Sequence, residues 1–99
     1  MKENIYRVKL GSAFQVIDET RNLSDVLFTP DGGVTYDVVD PDGVVVVDGA
    51  SMTEASTGVW TATTQGAASW MPGIYTLVTY AVHGVYTSIK EYKNAFEIY

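Results

Sequence analysis

The sequence predicts an all-β chain, folded as an antiparallel β-sandwich of about seven strands. Three observations predict it. Apolar spacing at the helical period is hard to find anywhere along the chain. Turn signals built from Gly, Pro, Asp and Asn recur roughly every ten to fifteen residues. The runs between them are rich in Val, Thr, Tyr and Ile, side chains that suit a pleated, half-buried surface. A length of 99 residues matches one domain, residues 1–99, around one core.

Taken in order, strands are expected at Ile5–Leu10, Ala13–Glu19, Val34–Val39, Val44–Asp48, Val59–Thr64, Ile74–Val82 and Val85–Tyr92. A last extended piece runs through Ala95–Tyr99. Thr20–Gly33 reads as a long connection that tucks Val26, Leu27 and Phe28 against the core. Asp40-Pro41-Asp42-Gly43 suits a type I turn, because Pro presets φ at the second position and Gly takes the left-handed one. With Pro41, Asp42 and Gly43 as the loop, Asp40 faces Val44, Val39 faces Val45 and Val38 faces Val46. Thr29-Pro30-Asp31-Gly32 repeats that chemistry. His83-Gly84 reads as a two-residue hairpin loop.

Composition excludes several function classes. There is no cysteine, which removes disulfides, thiolate metal sites and thiol nucleophiles. The formal net charge is −6, and the basic residues Lys2, Arg7, Lys9, Arg21, Lys90 and Lys93 all lie toward the chain ends. Between Asn22 and Ile89 the charged residues are all acidic: Asp25, Asp31, Asp37, Asp40, Asp42, Asp48 and Glu54. Such a middle repels phosphate backbones and anionic lipid, so neither nucleic acid nor membrane is an expected partner. The N-terminal stretch lacks the apolar run of a signal peptide, and no segment approaches the ~18 apolar residues of a membrane span. The expectation is a protein made and released in a cytoplasm.

Motifs for catalysis and metal binding are incomplete. Placing Gly43 at the sixth position of an EF-hand loop leaves Gly49 where the bidentate Glu belongs. A site assembled from Asp40, Asp42 and Asp48 on neighbouring loops stays open at this level, although turn formation explains these acids more simply. His83 is the only histidine, beside Gly84 at a hairpin tip, where nothing shields or orients it for a Ser-His-Asp site. Zinc would need a second imidazole or a thiolate. A carboxylate pair for glycoside chemistry depends on separation in space, which a sequence does not carry. The chain is expected to be no enzyme and to hold no cofactor.

The segments YDVVDPDGVVVVDG, TGVWTAT and MPGIYTLVTYAV, spanning about Val34 to Val85, resemble the strand and turn signatures of immunoglobulin-like and fibronectin-type sandwiches. Pro72-Gly73-Ile74-Tyr75 is similar to the tyrosine corner that leads into strand F of that fold, where the phenol hydroxyl bonds back to nearby backbone. The chain departs from antibody domains in lacking both cysteines. Similar domains occur in bacterial surface proteins and in small phage structural proteins. The resemblance implies architecture, and function only by analogy.

Four consecutive valines, Val44 to Val47, pose the functional question. If Val34, Tyr36 and Val38 point inward, the turn sends Val44 and Val46 inward and leaves Val39, Val45 and Val47 outside. With Tyr75 and Leu77 in the core, Ile74, Val78, Tyr80 and Val82 join that outer face, and strand G adds Val85 and Ile89. This register pairs Lys90 with Leu77, an unwelcome core position for a cation. The opposite phase instead exposes Tyr75, Leu77, Ala81, Tyr86 and Tyr92. Either way an outer face is unusually apolar, and such a face implies a cover. Trp70, in a loop before strand F, reads either as a plug of the core end or as an exposed anchor. The candidate interface is therefore Val39, Val45, Val47, Trp70, Val78, Tyr80 and Val82. The expectation is a structural or interaction subunit that assembles with other protein subunits, as a homo-oligomer or in a bacteriophage virion as a head, neck or tail accessory protein. The rival expectation is an extracellular binding module for glycan or protein, excised from a bacterial surface protein.

Overall fold

A computed structural model describes residues 6–99. They form eight strands: β1 Tyr6–Val8, β2 Ala13–Glu19, β3 Val34–Val39, β4 Val45–Ser51, β5 Thr53–Ser56, β6 Val59–Gln65, β7 Gly73–His83 and β8 Tyr86–Ile98. The expected start of the first strand at Ile5 lies outside the described residues. One sheet has the order β1-β8-β7-β3-β4 and the other β2-β6-β5. All pairings are antiparallel except β1 on β8. The expected all-β sandwich is therefore present, and no helix among the described residues is long and apolar enough to cross a membrane.

Period-two alternation decides what enters the core. On β2, Phe14 and Val16 are buried while their chain neighbours are exposed. On β3, Val34, Tyr36 and Val38 face inward, as the sequence predicts. On β7, Tyr75, Leu77 and Thr79 face inward, which selects the first of the two phases for that strand. Phe14, Tyr75 and Phe96 meet through their rings, with centroids 4.6 Å apart for Phe14–Phe96 and 5.3 Å for Tyr75–Phe96. The Tyr75 hydroxyl donates to the Met71 carbonyl at 2.7 Å, tying the β6–β7 connection to the strand that follows it.

Several expectations need correction. β8 runs unbroken through the gap expected between Tyr92 and Ala95, because it absorbs a bulge: Leu77 faces Tyr92, yet Tyr75 faces Phe96. Asn94 adopts φ 57° within this bulge, a conformation Asn tolerates better than most residues. The insertion is of two residues, so the core-facing parity of the strand survives it. β5 has no counterpart among the expected strands. The chain leaves the first sheet after Ser51, buries Met52 as a pivot, and enters the second sheet at Thr53.

The β7–β8 loop is Gly84-Val85 instead of His83-Gly84, since His83 pairs with Tyr86. Positive φ is needed at the first central residue of such a loop, and Gly84 supplies it at 61°. In the Thr20–Gly33 connection Val26 is exposed, contrary to expectation, while Phe28 meets the His83 ring edge-on at 5.4 Å. Thr20 organises the segment by donating its hydroxyl to the Phe28 carbonyl at 2.5 Å.

Candidate interaction face

The valine run begins with a turn that behaves as its chemistry dictates. Asp40 Oδ1 accepts the N–H groups of Asp42 and Val44, both at 2.9 Å, and Gly43 takes φ 84°. This is an Asx-type closure, in which one carboxylate oxygen of Asp40 serves two backbone donors. Val39 then pairs with Val45, as expected.

The next residue breaks the alternation. Val38 pairs with Val47, not Val46, and a second shift lets Tyr36 face Ala50. Each shift sets an extra β4 residue against β3, so the side-chain alternation of β4 is reset. Val46 and Val47 both pack, half-buried, against the core cluster. Val47 thus leaves the outer face to which strict alternation assigned it. Val44, assigned inward, is 56% exposed, and Val45 is 47% exposed. The answer to the four valines is two inside and two outside, divided by a bulge rather than by alternation.

On the outer face of the larger sheet, Val39, Val78 and Tyr80 lie half-buried on the middle strands β3 and β7. Tyr80 pairs with Ile89 of β8, which is 63% exposed. Asp37 punctuates the face: its Oδ2 accepts the Tyr80 hydroxyl at 2.9 Å and its Oδ1 accepts the Gly49 N–H at 2.7 Å. The hydrogen bond to Asp37, followed by burial, raises the Tyr80 hydroxyl above its ordinary value. Val82 is also on this face but is partly roofed by the connection before β3, where a Cβ on Gly32 would lie 2.6 Å from Val82 Cγ1. The remainder of Thr20–Gly33 does not form the cover for Val39 and Val45: its bonds run to Gly58, Val82 and the β7–β8 loop.

Trp70 is not on this face. Its ring stacks on Tyr75 with centroids 5.7 Å apart and meets Phe14 edge-on at 6.4 Å. The anchor reading is corrected to that of a plug, because the aromatic stack of the core extends through it to the end of the sandwich.

The two edges of the sandwich differ in charge. Arg7, Lys9, Arg21, Lys90 and Lys93 belong to β1, β8 and the residues around them, and Arg7 bridges Glu97 at 3.1 Å. Asp37, Asp40, Asp42, Asp48 and Glu54 belong to the side formed by β3, β4 and β5, while Asp31 stands at the β7–β8 loop.

Sequence reasoning missed a second cluster. Asp18 follows Phe14 and Val16 on the inward row of β2, and Lys90 and Tyr92 stand on the inward row of β8. Lys90 faces Thr79 rather than Leu77, and its ammonium reaches Asp18 at 3.4 Å, so the cation in that row has a counter-charge. The Tyr92 hydroxyl donates to Asp18 Oδ1 at 2.5 Å, and burial first, then this bond, raises its pKa far above the usual tyrosine value. An acid at the third inward position of β2 was the available signal. Among the described residues no group of three or more His, Asp or Glu side chains is arranged to hold a metal ion. No family model, curated protein or solved structure matches this chain.

Proposed function

We propose that the chain is a non-enzymatic assembly subunit with an immunoglobulin-like sandwich that docks onto another protein through the outer face of its five-stranded sheet. One observation carries this reading: Val39, Val45, Val78, Tyr80 and Ile89 lie on that face, interspersed with Thr35, Asp37, Thr76 and Glu91, and Val45 and Ile89 are 47% and 63% exposed there. Large uncovered apolar patches on soluble chains mark interaction sites. The immunoglobulin-like assignment is supported by the sheet order, by a short first strand lying parallel to the last, and by the bond from Tyr75 to the Met71 carbonyl. The setting we propose, from resemblance to small phage structural proteins, is a bacteriophage virion assembled in the host cytoplasm. The rival, an extracellular binding module for glycan or protein, has only the Trp70 face turned away from Tyr75 for its platform.

Sedimentation velocity tests the proposal, with the wild-type chain and a Val45→Lys, Ile89→Lys double variant run alone and mixed with the products of neighbouring genes. Each lost apolar contact is worth roughly 1–2 kcal/mol, so the variant should associate about ten- to a thousandfold more weakly while melting like the wild type. Identical sedimentation of the two proteins in every mixture would refute the docking face.

A further inference from the structure

The two sheets part along one side of the sandwich. β2 is the edge of the smaller sheet, and β1 covers only the Phe96–Ile98 end of β8. Between these edges opens a cleft of about 450 Å³ with Phe14, Val16, Leu77 and Phe96 among its lining. That volume lies within the range of small-molecule sites, and an apolar lining with a few convergent polar groups is their usual composition.

The polar lining is Gln15, Asp18, Glu19, Arg21, Lys90 and Tyr92, with Arg21 engaged by Glu19 at 3.2 Å, and Asp18 is its buried acid. The Asp18 side chain is 1% exposed. Tyr92 and Lys90 both serve Oδ1, while Oδ2 is sealed with no donor among the described residues. A buried carboxylate oxygen without a donor is costly. The cation nearest to it is weakly committed: Lys90 is 40% exposed, and its ammonium also donates to the Glu19 carbonyl. A long, half-exposed side chain of this kind can swing into water and yield its place on the carboxylate. The net charge of −6 raises the local concentration of cations around the whole chain.

We propose that this cleft binds an organic cation: an ammonium or guanidinium group on an apolar body, with the head on Asp18 and the body against the exposed lining residues Tyr6 and Tyr92, over Phe14 and Phe96. Lys90 swinging out opens the carboxylate, and the head then replaces Lys90 as its counter-charge. A guanidinium suits the carboxylate so opened, since it bonds two carboxylate oxygens in parallel. The site is separate from the outer sheet face and does not depend on the assembly reading. The cation arrives either on a free small molecule or as the Lys or Arg side chain of a protein segment. Among the described residues the outer edges of β2 and of β8 before Phe96 carry no strand partner, and they offer such a segment main-chain partners.

The test is an NMR titration of the full chain with 2-phenylethylamine and with its neutral analogue 2-phenylethanol. The amine should bind roughly ten- to a hundredfold more tightly, the worth of a charged hydrogen bond, with the largest shifts at Asp18, Tyr92 and Phe96. Asp18→Asn should erase the preference. Lys90→Met, which keeps the stem and removes the internal competitor, should tighten the amine several-fold. If Asp18→Asn fails to fold, the amine-to-alcohol ratio and the Lys90→Met variant still decide. Equal binding of amine and alcohol, shifts elsewhere, or no binding below about 10 mM would overturn the proposal. A capped Val-Arg-Val-Arg-Val peptide separates the two sources. Slowed amide exchange along Thr87–Lys93 with the peptide identifies a protein segment, and amine binding without it identifies a small molecule.

Discussion

Val38 and Val45 are chemically identical residues one strand apart, and the structure assigns them opposite fates. Val38 has no exposed surface, whereas Val45 is 47% exposed on the outer face. Truncating Val38 to Ala removes two buried methyl groups, worth ~1.6 kcal/mol of transfer free energy, and leaves a cavity that raises the total to ~2–3 kcal/mol. Truncating Val45 gives up only part of that area and leaves no closed void, so the cost should stay below ~0.8 kcal/mol. For a chain of this length the first change should lower the melting temperature by ~10–20 °C and the second by only a few degrees. Urea unfolding at low protein concentration, where any intermolecular face is empty, measures both, and an unchanged m-value shows that the native and unfolded states are otherwise comparable. Equal losses for the two variants at low concentration would refute the reasoning. They would mean that the chain covers its own outer valines.

Two further predictions test the turns and the buried phenols. Gly43 has φ 84° and open space where an added methyl group would sit, so Gly43→Ala should cost only the left-handed backbone term of ~1–2 kcal/mol. Gly73 has φ 138° and would set a Cβ 2.6 Å from Pro41 Cγ, so thermal melts should show Gly73→Ala at least twice as damaging. Burial raises the Tyr92 and Tyr75 hydroxyls, with Asp18 and Asp40 adding to the respective shifts. Their folded pKa values lie above the unfolded value of 10.0, so the folded state keeps protons that the unfolded chain has released. That stabilisation is complete below the unfolded value and is lost as pH rises through the folded ones. Urea midpoints should therefore fall above about pH 10, and less steeply in Tyr92→Phe; an equal or steeper fall in the variant would contradict the assignment.

What the sequence determined by itself is local in origin. The alternation of Phe14 and Val16 with exposed neighbours follows from the two-residue period of a strand, and Asp40-Pro41-Asp42-Gly43 closes its turn with its own atoms. The same locality makes the inward row Val34, Tyr36 and Val38 legible, along with the Tyr75 bond to a carbonyl four residues upstream. Tertiary structure decided whatever depends on a partner distant in the chain. Strict alternation puts Val47 outside. It lies inside because β4 slips against β3, and a slip belongs to a pair of strands, not to either one. The passage of the chain between sheets at Met52 likewise needs both sheets in place before the residue has anything to pivot on. Lys90 is out of place in the sequence pattern for the same reason. Its tolerance rests on a carboxylate 72 residues away, and only the packing of β2 against the edge of β8 brings that charge within reach.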